Sequence, residues 1–159
     1  MPQIAIEYMI MVPVLIMQIF IFPLTATAIM DTWMDSRRTI ELQETAGHVG
    51  SSIQQLYYTM NQASISNGSM KITLFIPPVL EGLAYTTTLR HVTDSDTSYE
   101  IMNVTLRSIG TKDQASTIVT LGQNVDWQEG LAFNSTSDPL NLIANKTSNS
   151  IWLSFGGGP

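Results

Sequence analysis

Hydrophobic and polar positions divide the chain into three stretches. From Ile4 to Met30 the residues are apolar almost without interruption, and after Glu7 none carries a charge. A helix rises about 1.5 Å per residue and a bilayer core is about 30 Å thick, so this run is long enough to span a membrane. Pro13 and Pro23 fall inside it, each removing one helical N–H and crowding the carbonyl four residues back, which predicts a bend in a continuous helix.

From Leu42 the pattern changes to apolar residues at helical spacing: Leu42, Ala46, Val49, Ile53, Leu56 and Met60 follow one another at intervals of four, three, four, three and four. They form one seam, with Gln43, Glu44, Ser51, Gln54 and Gln55 around the rest of the surface. Two partners suit such a seam, the chain's own globular part or the same helix of another subunit. Helix from about Ile4 to Asn61 would measure about 85 Å, too long for a domain of some ninety residues to cover. The cluster Ser64-Ile65-Ser66-Asn67-Gly68 predicts the turn that ends it.

Beyond that turn the period falls to two. Ile72, Leu74 and Ile76 alternate with Lys71, Thr73 and Phe75; Leu83, Tyr85, Thr87 and Leu89 alternate with Ala84, Thr86, Thr88 and Arg90. Met102, Val104 and Leu106 alternate with Asn103, Thr105 and Arg107, and 117–121, 130–133 and 150–155 are shorter candidates. Strands at this spacing, separated by Pro77-Pro78, Asp94-Ser95-Asp96, Gly110, Gly122 and Asp138-Pro139, predict an antiparallel sandwich of immunoglobulin-like kind. The expected fold class is therefore α+β. A long N-terminal helix over 1–62, apolar over 3–30 and amphipathic over 31–62, precedes a β-sandwich head over 69–159.

The first residues carry a resemblance. Gln3, Glu7 four positions on, the aromatic Tyr8 and the apolar run behind them resemble the N-terminus of archaeal type IV pilins, whose pattern is Gln-x-Ser-x-Glu-x-x-x-Leu. Ala5 stands where that pattern has Ser and Met11 where it has Leu. The likeness covers about thirty residues by motif and the remainder by architecture alone. It implies processing by a prepilin peptidase ahead of Gln3, a helix that waits in the membrane, and assembly into a homopolymeric extracellular filament with the β domains outside. It also implies that Glu7 meets the N-terminal amine of a neighbouring subunit. The archaellins, subunits of motility filaments, share this architecture; the long amphipathic continuation of the helix favours an adhesion pilus. A monomeric, membrane-anchored binding domain is the alternative from a different class.

Composition narrows the chemistry. With 13% charged residues and a net charge of -6, the chain lacks the clustered Lys and Arg that neutralise phosphates, and no nucleic-acid partner is expected. There is no cysteine, hence no disulfide, thiolate metal site or thiol nucleophile. Four Asn-x-Ser/Thr triplets begin at Asn67, Asn103, Asn134 and Asn145, all after the apolar run, and are candidate N-glycan acceptors; Asn103 falls on the outer face of its strand. Just past the run, Arg37 and Arg38 read either as a topology signal or as helix surface paired with Asp31, Asp35, Glu41 or Glu44. His48 and His91 lie in different elements without a visible carboxylate partner, so neither reads as a ligand. Asp94, Asp96 and Glu100 lack the spacing of a calcium loop and read as a solvated turn. No nucleophile elbow or phosphate-cradling glycine loop is present, and Gly156-Gly157-Gly158-Pro159 is a chain end. No catalytic residue, cofactor or metal is expected, and an enzyme is not.

Overall fold

The computed structural model describes residues 3–92, 99–127, 132–137 and 140–156, with the backbone alone for residues 3–6. The fold is α+β. Helix α1 (Gln3–Met60) precedes eight strands: β1 (Asn67–Thr73), β2 (Tyr85–Val92), β3 (Tyr99–Ser108), β4 (Gln114–Gly122), β5 (Val125–Trp127), β6 (Ala132–Asn134), β7 (Asn141–Thr147) and β8 (Ser150–Gly156). The chain forms two compact units, Met1–Arg37 and Arg38–Pro159. The second unit thus begins inside α1, not at position 69 where the strand pattern starts.

The first unit is helix alone. Helical backbone runs unbroken through Pro13 and Pro23. Three threonines compensate locally for their polarity: the Thr25 hydroxyl reaches the carbonyls of Ile21 (3.0 Å) and Phe22 (2.9 Å), Thr27 donates to Pro23 (2.7 Å), and Thr32 to Ala28 (2.8 Å). Hydroxyls folded back onto the preceding turn leave methyl groups facing outward.

In the second unit the strands form two four-stranded sheets, ordered β1-β7-β8-β5 and β4-β3-β2-β6. The pairings are antiparallel, as expected, except β5 with β8, which runs parallel. A parallel neighbour needs a crossover rather than a hairpin, and here β6, in the other sheet, and β7 lie between the two in sequence. The inward rows match the alternation in the sequence: Tyr85, Thr87 and Leu89 on β2, Met102, Val104 and Leu106 on β3. Leu83 does not belong to its row, because it sits before β2 in a turn bridged to Leu80. Asn67 and Gly68, expected in the turn after the helix, instead open β1 opposite Thr147 and Lys146. That strand ends at Thr73, short of Ile76, and Leu74 N–H turns to the Leu140 carbonyl at 2.9 Å. Gly130 and Leu131, expected to open a strand, lie outside the described residues.

Strand β7 escapes the period-two pattern because its sequence is half polar. Leu142, Ala144 and Lys146 all face inward and are buried. Lys146 tolerates this because its Nζ donates to the carbonyl of Gln62 at 3.1 Å, two residues past the end of α1, where carbonyls lack helical partners.

One core joins helix and sheets. Leu42, Ala46, Val49, Ile53, Leu56 and Met60 cluster with Leu106, Val119, Leu121, Leu142, Ile151 and Leu153. The helix lies along β4 in the same direction, as four contacts show. Arg38 bonds Asp113, Gln43 Nε2 donates to the Ser116 carbonyl (3.2 Å), Gly50 faces Val119 and Thr117, and Tyr57 reaches Gly122 and Asn124. Nineteen helical steps from Arg38 to Tyr57 rise about 28 Å; the nine residues of β4 extend about 30 Å. The two elements therefore stay in step along their whole contact. Gly50 permits the approach, since a Cβ there would lie 2.9 Å from Val119 Cγ2.

Candidate assembly and membrane surface

The surface that asks for a partner is α1 from Glu7 to Met34. The consecutive residues Ile19, Phe20, Ile21 and Phe22 point in directions about 100° apart on a helix, yet they are 68, 67, 51 and 75% exposed. Apolar side chains therefore cover every side of this segment. No residue between Glu7 and Asp31 is charged, Gln18 adds one neutral amide, and the hydroxyls of Thr25, Thr27 and Thr32 donate within the helix. Apolar surface of this extent is unfavourable in water, where each exposed Å² forgoes about 25 cal/mol of transfer free energy. The helix is long and apolar enough to cross a membrane. Glu7 and Tyr8 stand at its start, both exposed; the Gln3 side chain lies outside the description.

The second half of α1 behaves differently, and one expectation is corrected there. Leu42, Ala46, Val49, Ile53 and Leu56 have no accessible surface and Met60 has 3%, all of it lost to the chain's own sandwich. The seam does not serve as helix-to-helix packing between subunits, because no surface is left on it for a second helix.

The two arginines separate at this boundary. Arg37 is exposed and its guanidinium lies 5.5 Å from the Trp33 ring centroid, within cation–π range. Arg38 is buried and its Nη1 donates to Asp113 Oδ2 at 2.7 Å. Thr111 also donates to that oxygen, at 2.9 Å. The Arg38 bond, joined by the Thr111 bond, holds the Asp113 carboxyl below the usual carboxylate range against the opposing effect of burial. The helix-surface reading of the pair thus fits Arg37, whereas Arg38 fastens the helix to the β3–β4 loop.

The four triplets occupy unequal places. Asn67, Asn134 and Asn145 are exposed, on β1, β6 and β7. Asn103 is on the outer face of β3 as expected, but it is half-buried and its Oδ1 is shielded without a hydrogen-bond partner. Asn67 Oδ1 accepts from Ser148 N–H at 2.8 Å, and Asn134 Oδ1 from the Thr86 hydroxyl at 3.1 Å. In Asn134-Ser135-Thr136 the middle residue is buried, its hydroxyl accepting from Tyr85 N–H (3.0 Å) and donating to the Pro78 carbonyl (2.6 Å).

Some groups with chemical potential came together that spacing did not suggest. His91 Nε2 meets Glu100 Oε2 across the β2–β3 pair, which corrects the expectation that His91 has no carboxylate partner. Only the pairing of the two strands could reveal it. Glu100 is engaged there, while Asp94 and Asp96 of the same expected turn lie outside the described residues. Tyr57 donates to Asn124 Oδ1 (2.9 Å) and Asn124 in turn donates to Asn61 Oδ1 (2.8 Å), tying the end of α1 to the β4–β5 turn. Burial raises the Tyr57 phenol above its ordinary value. No protein family, curated protein or solved structure matches the chain.

Proposed function

We propose that the chain is a structural subunit of an extracellular filament of the archaeal type IV pilus kind, polymerising through residues 7–34 of α1 and serving surface adhesion. The observation that carries this reading is the helix with apolar side chains exposed on every side, in one chain with a compact unit that has a complete core of its own. An all-round apolar helix is stable in lipid or among other apolar helices. A subunit that must do both, first as an anchor and then as a filament component, requires this surface. Assembly moves the surface from lipid into contact with copies of itself, and because different patches meet, the contact propagates rather than closes.

On this reading Glu7 is the carboxylate that pairs within the helix bundle, where an isolated charge would be costly. A prepilin peptidase releases the mature N-terminus, and glycans occupy exposed Asn-x-Ser/Thr sites outside. The second reading, a monomeric domain held in the membrane, is favoured by the same helix's capacity to cross a bilayer.

Mechanical shearing of cells, followed by electron microscopy and intact-mass measurement of the released material, distinguishes them. The expected result is detergent-resistant fibres built of this subunit, with a mass that places the N-terminus and counts the glycans. Recovery of the chain solely as detergent-soluble monomer in the membrane fraction would sink the filament reading. Deletion of the gene with a swimming assay separates an archaellin, whose loss abolishes motility, from an adhesion pilin, whose loss does not.

A further inference from the structure

Among the described residues, the outer face of the sheet β1-β7-β8-β5 carries one aromatic ring. Ala144, Lys146, Ile151 and Leu153 are buried on the core side, so the residues that alternate with them, Asn145 of β7 and Trp152 of β8, point outward. These two stand directly opposite each other in the antiparallel pair, with Ser69 of β1 beyond Asn145 and Asp126 of β5 beyond Trp152. On its own strand the indole is flanked along this face by the small side chains of Ser150 and Ser154, and 49% of it stays open. Apolar ring surface that is accessible in this way gains free energy when it is covered.

Its cross-strand neighbour supplies a cover. Asn145 opens the triplet Asn145-Lys146-Thr147, and Thr147 is exposed on the same face. Asn145 itself is exposed, and its side-chain amide makes no hydrogen bond among the described residues. The other triplets differ: Asn67 and Asn134 have their Oδ1 atoms engaged, and Asn103 is half-buried. They also differ in what faces them. Asn67 lies opposite Thr147, Asn134 opposite Thr86, and Asn103 between Arg90 and Ile118, so none of these has an aromatic side chain across from it. Directly opposed residues in a sheet have Cβ atoms about 4.5–5.5 Å apart. A sugar joined to Asn145 Nδ2 therefore starts at the height of the Trp152 ring, and the C–H face of the sugar meets the face of the indole.

We propose that Asn145 carries an N-linked sugar and that Trp152 is the platform on which its first ring rests. The joining step bonds Asn145 Nδ2 to the anomeric carbon of a sugar phosphoester supplied by the cell. The bond from that carbon to the phosphate oxygen breaks, the phosphate leaves with the electron pair, and the amide gives up one proton to solvent. The proposal rests on the reading that places the β domain outside the cell, and is independent of whether the chain polymerises.

The test uses the full chain purified from its own cells, either as fibres or from detergent-solubilised membranes, and mapped by peptide mass spectrometry. A sugar on the peptide containing Asn145 is the expected result. Its removal by Asn145→Gln should lower the urea midpoint by about 0.5 M, the size of one ring contact. In a Trp152→Ala background the same removal should leave the midpoint unchanged, and Trp152→Phe should restore the shift. Both residues lie outside the core, so each variant keeps the fold on which the comparison depends. An unmodified Asn145, or an equal shift with and without a ring at position 152, overturns the proposal. Membrane monomers with a sugar on Asn145 would count against polymerisation and support this assignment, whereas fibres with an unmodified Asn145 would do the reverse.

Discussion

Arg38 and Asp113, 75 residues apart in sequence, meet at 2.7 Å with side chains only 8 and 17% exposed. The bond lies where the exposed apolar helix gives way to the helix that is part of a core. Removing the Asp113 charge deprives the shielded Arg38 guanidinium of this charge-assisted bond. Asp113→Asn should therefore destabilise the second unit by about 2–3 kcal/mol, the range for a hydrogen bond to a charged group, measured by urea unfolding followed through tryptophan fluorescence.

The same pair sets an acid limit. Because the folded Asp113 carboxyl lies below its unfolded value, its contribution is fully present above an unfolded pKa of about 3.9 and is lost as pH falls through the lower folded value. Asp113→Asn should remove this part of the acid unfolding limb, so that parent and variant converge in stability as pH drops below about 4. An unchanged difference between them down to pH 2 would contradict the assignment.

Tyr85 gives the corresponding limit in base. Burial pushes its phenol up to about 12, while its hydroxyl donates to the Pro77 carbonyl at 2.8 Å. Its folded value is raised, so this stabilisation is complete below an unfolded pKa of about 10 and disappears between about 10 and 12. Ultraviolet titration should show a late phenolate step that Tyr85→Phe abolishes, and the variant should lose about 1 kcal/mol at neutral pH from the unpaired hydrogen bond.

Two glycines three residues apart on α1 should respond in opposite directions. A Cβ at Gly47 would meet nothing within 4 Å, so Gly47→Ala should stabilise by about 0.5–1 kcal/mol through helix propensity. At Gly50 a Cβ would press on Val119 and Thr117, both on β4 and unable to rotate freely away. Gly50→Leu should cost about 1–3 kcal/mol or more as the helix is pushed off the strand, and thermal unfolding of the two variants checks both signs.

Stability and assembly should separate along the helix. Ile53→Ala empties core volume and should cost about 2–5 kcal/mol of unfolding free energy. Ile16→Lys places a charge on the exposed apolar run, where it should abolish fibres in a shearing preparation while leaving the urea midpoint of the second unit unchanged. Normal fibres from Ile16→Lys would remove residues 7–34 from the assembly surface.

Much of the fold could be read from residue pattern because its causes are local. The apolar run, the seam at three and four, and the alternation of β2 and β3 each follow from one element burying one face. What escaped notice shares a different property. Strand β7 hid because Lys146 points inward, a position made acceptable only by the Gln62 carbonyl 84 residues earlier. The parallel β5–β8 pair, the His91–Glu100 contact and the Arg38–Asp113 bond likewise join segments whose proximity depends on the whole topology.

The sequence by itself determined that the chain has a membrane-length apolar helix, a second helical half with one apolar face, and a run of strands, because hydrophobic periodicity is a property of neighbouring residues. Which partner the second half would take was open, as a seam of Leu42, Val49 and Ile53 suits a sheet or another helix equally. Only the tertiary structure decided it. Once the sandwich covers those residues completely, the exposed apolar surface that is left lies mainly on residues 7–34, and the demand for a partner or a membrane falls on that segment.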